Sequence, residues 1–170
     1  MIAILKIFIS KYLNYNIEDV YYNDEKLYLV NPEESNPSVI ILSHNISEDS
    51  FTPIDTIANL PSIPLTLKSN KDHIFIGLDD NQGCYIKLLD SDNQNNSNFT
   101  IAPGYDIQDI QLSDDYITLS AGYNGSLVYN SDLDLMSALG GIYGYKTTVY
   151  GRSNIIVGTK NGLYIYQLER

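Results

Sequence analysis

The sequence predicts an all-β protein of the β-propeller type, with about four tandem blades, each a four-stranded antiparallel sheet. Three observations predict it: apolar β-rich runs that each follow a short polar turn, a recurrence of those runs at a near-constant period, and the near absence of helical spacing. The turns are Asn23–Lys26 before Leu27–Val30, Asn70–His73 before Ile74–Ile76, Ser113–Asp115 before Tyr116–Leu119, and Gly151–Asn154 before Ile155–Val157. Their first apolar residues, Leu27, Ile74, Tyr116 and Ile155, lie 47, 42 and 39 residues apart. A unit of roughly forty residues holding four short strands is the length of one blade.

Each unit repeats the same order of strands. The first strands are read at Ile17–Tyr21, Ile63–Leu67, Ile107–Leu112 and Tyr145–Tyr150, and the second strands are the four runs above. Third strands follow at Val39–Leu42, Cys84–Leu88, Ser126–Tyr129 and Leu163–Tyr166. Fourth strands are read at Ile54–Ile57, Asn98–Ile101 and near Ala138–Ile142, and the last unit reaches Arg170 after three strands. The units therefore run over about 17–60, 61–103, 104–143 and 144–170 of one domain, 1–170. Asn124-Gly125 and Asn161-Gly162 are expected to form type I′ hairpin turns, since both residues of that pair accept positive φ. Leu133–Leu139 alone has spacing suited to a helical turn, which Gly140-Gly141 would end. Pro32–Pro37 and the polar run Asp90–Ser97 are loops.

The opening run Ile2–Ile9 is apolar but broken by Lys6, has no basic stretch before it, and is far shorter than the ~20 residues that cross a bilayer. It reads as a β-strand. Within 1–10 it is expected to close the fourth blade, or the equivalent blade of a neighbouring copy, covering an edge that would otherwise pair freely.

Ten Lys and Arg against twenty-one Asp and Glu leave a formal charge of −11, and the cations are scattered along the chain. Nucleic acid is thereby not expected as a partner, nor is an anionic bilayer surface, while the shortness of the opening run speaks against membrane insertion. Cys84 is alone, so disulfides and thiolate metal clusters within the chain are excluded, and its apolar setting makes it a packing residue. His44 and His73 fall in different units with no recurring acidic companion. Asp90, Asp92 and Gln94 begin like a calcium loop but lack its turn glycine and closing glutamate. Asp114-Asp115 and Asp79-Asp80 sit in turns, where aspartate is favoured for its local hydrogen bonds. Neither a nucleophile elbow, nor a phosphate loop, nor a dinucleotide fingerprint occurs, and no catalytic residue, metal or cofactor is expected.

The third unit reads Ala102-Pro103-Gly104-Tyr105-Asp106-Ile107, then Asp115-Tyr116-Ile117-Thr118-Leu119, then Gly125-Ser126-Leu127-Val128-Tyr129. This resembles the LVIVD repeat of bacterial and archaeal surface or secreted propellers, as does the fourth unit around Gly144-Tyr145 and Asn161-Gly162-Leu163-Tyr164-Ile165-Tyr166. Tyr129-Asn130 and Tyr166-Gln167 depart from the acidic ending of that repeat. The resemblance implies an extracellular or cell-surface location, and it leaves room for the chain to be the C-terminal part of a longer propeller.

Fifteen tyrosines are the least ordinary feature of the composition. Most alternate with aliphatic residues inside strands, whereas Tyr105, Tyr123, Tyr143 and Tyr145 fall in loops. In a propeller the loops between second and third strands emerge on one face, as do the connections between blades. Asp79, Asp80, Tyr105, Tyr123, Asn124 and Tyr143 would converge there. The function expected is a non-enzymatic interaction or scaffold module that binds a protein or glycan on that face, with self-association through strand edges. The alternative is an enzyme or metal-dependent sensor on the same mouth, which calls for a His or Asp at one place in every repeat; none recurs.

Overall fold

The computed structural model describes residues 16–89, 98–151 and 153–168. Among these residues, fifteen strands form four antiparallel sheets in chain order. The first holds β1 (Asp19–Asn23), β2 (Lys26–Asn31), β3 (Ser38–Asn45) and β4 (Ser50–Ile57); the second β5 (Pro64–Ser69), β6 (His73–Leu78), β7 (Cys84–Leu88) and β8 (Phe99–Ile101). The third holds β9 (Asp109–Leu112), β10 (Tyr116–Ser120), β11 (Ser126–Asn130) and β12 (Leu135–Leu139). The last comprises β13 (Lys146–Tyr150), β14 (Asn154–Thr159) and β15 (Gly162–Gln167). Within every sheet neighbours in sequence are neighbours in space. The first strands adjoin one another, β1 against β5, β5 against β9 and β9 against β13, so they form the inner edges of successive sheets.

Alternation along the strands gives the second and third sheets two apolar faces, one turned to the sheet before and one to the sheet after. Tyr28, Val30, Val39 and Ile41 of the first sheet pack on Leu67, Ile74, Ile76 and Leu78 of the second. Phe75, Cys84 and Ile86 on the other face of the second pack on Ile110, Ile117, Leu119, Leu127 and Tyr129 of the third. Val128 of the third meets Ile155 and Val157 of the fourth. Central strands are the most buried, which is why they read as continuous apolar runs.

Polar pairs join the inner edges. The Asp19 carboxylate accepts hydrogen bonds from the Thr66 hydroxyl at 3.0 Å and the Leu67 amide at 3.2 Å. Asp109, almost wholly buried, is paired with the Lys146 ammonium and accepts from Gln111 at 3.2 Å. Between the third and fourth sheets lies a buried hydroxyl group: Thr118 donates to the Thr147 carbonyl at 2.6 Å, Ser120 donates to the Thr147 hydroxyl at 3.0 Å, and Ser126 shares a hydrogen bond with that same hydroxyl.

Two expectations from the sequence are corrected. Leu133–Leu139 does not turn helically: Leu135–Leu139 is the outer strand β12, paired to β11 through a bulge at Val128/Tyr129. Neither Asn-Gly pair makes a type I′ turn, because positive φ falls on Gly122 and Gly125 in one loop and on Gly162 in the other, and not on Asn124 or Asn161. Two consecutive positive φ values occur instead at Asp24 and Glu25 (49° and 55°), between β1 and β2, and at Asp80 and Asn81 (52° and 59°). The expected closing strand Ile2–Ile9 and the polar run with Asp90, Asp92 and Gln94 lie outside the described residues.

Candidate functional site on the loop face

The hairpin order places the β2–β3, β6–β7, β10–β11 and β14–β15 loops on one side of the molecule, together with the three connections between sheets. Two of these segments are held together by a glycine pair. The Gly144 amide donates to the Gly122 carbonyl at 3.0 Å, forming an isolated bridge between the β10–β11 loop and the β12–β13 connection. A side chain at Gly144 would run into Ser126 and the Gly125 carbonyl, so the close approach requires glycine.

The tyrosines beside those glycines are brought together by it. Tyr123 and Tyr143 meet edge to face, 4.5 Å between ring centroids and 87° between planes, and Tyr143 and Tyr145 follow at 4.5 Å and 49°. The Tyr143 hydroxyl donates to Gln108 Oε1 at 3.2 Å, which anchors the middle ring. Tyr123 is 87% exposed and Tyr145 47%. Aromatic rings held in fixed relation at the surface lose little side-chain entropy on binding and offer both an apolar edge and a hydroxyl. Asn124 is exposed beside Tyr123 in the same loop.

Asp79 and Asp80 are elsewhere on this side. They line an open groove of about 770 Å³ between the first two sheets, with Glu34, Pro37 and the connection Asn59–Ile63. The Asp79 amide donates to the Ile63 carbonyl at 3.0 Å, and Asp80 accepts from the Ser62 hydroxyl at 3.1 Å. Tyr105 is half-buried against the core between the second and third sheets, its carbonyl accepting from the Gly83 amide at 2.9 Å. The six residues named from sequence thus divide: Tyr123, Asn124 and Tyr143 gather, Asp79 and Asp80 form a separate acidic rim, and Tyr105 is taken up in packing. Gln108 was not foreseen. On the opposite side a smaller cavity of about 360 Å³ opens between the β5–β6 and β9–β10 turns, floored by Phe75, Leu112 and Ile117 and edged by His73 and Lys71.

Burial pushes the Cys84 thiol far above its ordinary value, keeping it protonated. Among the described residues, no three His, Cys, Asp or Glu side chains gather to hold a metal ion. His44 stacks on Phe51 at 4.4 Å and shares a hydrogen bond with the Tyr22 hydroxyl at 2.9 Å.

Neither a protein-family model nor a curated protein matches the sequence. Solved structures do match in fold. The computationally designed Ika4 protein is similar at a TM-score of 0.67 and 8% identity, over 91% of this chain and 92% of that one. BBS1N, in a structure of its complex with ARL6DN, matches at 0.61 and 14% over 91% of this chain, and Hsv2 of Kluyvelomyces marxianus at 0.53 and 12% over 91%. Those two comparisons cover 48% and 49% of the other chain, so the present chain spans about half their length. The four sheets are propeller-like blades, matching β-propeller structures.

Proposed function

We propose that this chain is a non-enzymatic binding module of the β-propeller type, which holds a partner on its loop face through the Tyr123–Tyr143–Tyr145 cluster. The observation that carries the reading is the fixing of three loop tyrosines in mutual contact while Tyr123 stays 87% exposed. Nothing in the packing of the sheets needs an aromatic ring at Tyr123, and exposed, preorganised aromatics are the commonest anchors of binding surfaces. A protein segment suits the cluster better than a glycan, because the rings stand edge to face and form no flat platform for a sugar ring. The structural neighbour BBS1N is itself seen in complex with ARL6DN. The LVIVD-like grammar of the third and fourth units adds the cell surface as the place where such a partner would be met.

The chain has no tryptophan, so its emission is that of its fifteen tyrosines, and the difference between the parent and Tyr123→Ala isolates the part that comes from this cluster. Peptides selected from a displayed library against the immobilised chain should alter that emission on titration. Tyr123→Ala and Tyr145→Ala should each weaken the selected peptide at least about tenfold, the effect of losing one anchor of ~1.4 kcal/mol. Their melting temperatures should match the parent. Selected peptides that ignore both substitutions, or a glycan array that binds through the same tyrosines, would refute the protein-binding reading.

A further inference from the structure

The four sheets end in different ways on their outer side. The third strands of the first three sheets, β3, β7 and β11, each pair on the far side with a fourth strand, β4, β8 or β12. Those outer strands are poor templates for another chain. β4 holds Pro53 and Asp55 and is bulged against Ile41/Leu42, β8 has only three residues, and β12 is bulged against Val128/Tyr129. β15 is a third strand of the same kind, and among the described residues no strand pairs with its far side. Its six residues, Gly162–Gln167, run beside β14 without a shift of register and include neither a charge nor a proline. Side chains on both of its faces are open to solvent: Leu163 is 73% exposed and Ile165 70% on one, Tyr164 41% on the other. An unbulged, uncharged edge of this length is a template for one more strand.

We propose that the strand it accepts is β15 of a second copy, paired antiparallel about a two-fold axis normal to the sheet, so that two sheets of three strands become one of six. Three things favour a second copy as the occupant. An antiparallel pair of identical edges closes on itself, each satisfying the other, and leaves no edge to recruit a third copy. The axis keeps like face beside like, so Leu163 and Ile165 lie next to the same aliphatic residues of the second copy. Tyr164 and Tyr166, already stacked at 6.4 Å and 19°, lie next to the same two tyrosines. The strand is uncharged, so a chain at −11 sets no carboxylate against a carboxylate there. The contact covers on the order of 400 Å² of each copy, about half of a standard interface, so the association is a weak one.

Sedimentation over a range of concentration tests this. At about 1 μM the chain should sediment at 19.1 kDa, and at a few hundred micromolar its average mass should approach twice that value. Leu163→Lys with Ile165→Lys should hold the mass at one copy throughout, and the circular dichroism and melting temperature at low concentration should not change, because both side chains are exposed. Ile54→Lys, at an exposed position of the blunted β4, and Tyr123→Ala, on the loop face, should associate as the parent does. A parent that stays at one copy over the whole range would overturn the proposal, as would a dimer that survives both lysines or one that Ile54→Lys breaks equally. A parent at one copy that doubles only after removal of Met1–Ser10 would also overturn it, assigning the β15 edge to that segment instead.

Discussion

Gly125 sits at the tightest backbone approach on the loop face: its φ is +87°, and a side chain there would strike the Leu139 carbonyl. Gly125→Ala combines an unfavourable φ with a backbone clash and should cost roughly 3 kcal/mol, a fall of about 6–12 °C in melting temperature for a chain of this size. A variant that melts with the parent would mean that the β10–β11 loop rearranges freely. Titration gives a second outcome at this scale. Burial raises the pKa of the Cys84 thiol above its ordinary 9.0 and those of the Tyr21, Tyr85 and Tyr129 hydroxyls above 10.0. A group whose folded pKa is raised contributes stability that is intact below the unfolded pKa and lost as pH climbs toward the folded value. Urea melts should therefore be flat through neutrality and lose stability above about pH 9, and Cys84→Ala should remove part of that alkaline slope. An equal slope in the variant would contradict the burial assigned to the thiol, as would rapid labelling of Cys84 in the folded chain.

At the scale of elements, the β1–β2 hairpin closes through Asp24 and Glu25, both at positive φ, a conformation that costs little for Asn-Gly and more for this pair. Replacing Asp24-Glu25 by Asn-Gly should stabilise the chain by about 1 kcal/mol and raise the melting temperature by about 2–4 °C. A loss of stability would show that the Glu25 side chain contributes something its exposure conceals. The same turn shows where sequence legibility ended. The second and third strands of the first three sheets were legible because both faces of those strands are covered, which leaves apolar runs such as Leu27–Val30 with polar ends. β12 was not, because it is an outer strand with Leu135 and Met136 about half exposed, so its apolar spacing reflects no burial and mimicked a helical turn. Asn-Gly marked the right loops and the wrong turn type, since the chain passing from β10 to β11 and from β14 to β15 puts its positive φ on glycines alone. Tyr123 and Tyr143 could be named as loop aromatics. Their union depends on the Gly122–Gly144 bridge, a pairing across two repeats that no local pattern encodes. Tyr105 occupies a loop in sequence, yet the Gly83–Tyr105 hydrogen bond draws it onto the core.

In the molecule as a whole, each sheet packs on its neighbours in sequence, so stability divides into blades and seams as in other repeat proteins. The seams are unequal. Those between sheets one and two and between two and three are broad apolar clusters, whereas that between three and four places Thr118, Ser120, Ser126 and Thr147 where aliphatic residues would serve. Thr147→Val leaves the buried Ser120 and Ser126 hydroxyls without their shared partner and should cost about 1–3 kcal/mol; adding Ser120→Ala and Ser126→Ala should recover part of that loss, because a matched apolar seam has nothing left unpaired. Absence of recovery in the triple variant would mean that the hydroxyls do not act as one unit. A chain whose last seam has only three fully buried apolar side chains, Val128, Ile155 and Val157, beside its hydroxyl group does not come apart evenly. The fourth sheet is the part able to leave while the other three stay folded, a partial opening of low free energy at one end of the array. Native-state deuterium exchange should show this directly: the amides of Lys146–Gln167 would take up label together and early, those of β6 and β10 would wait for the whole chain to unfold, and the interval between them would measure how loosely the last blade is tied to the rest.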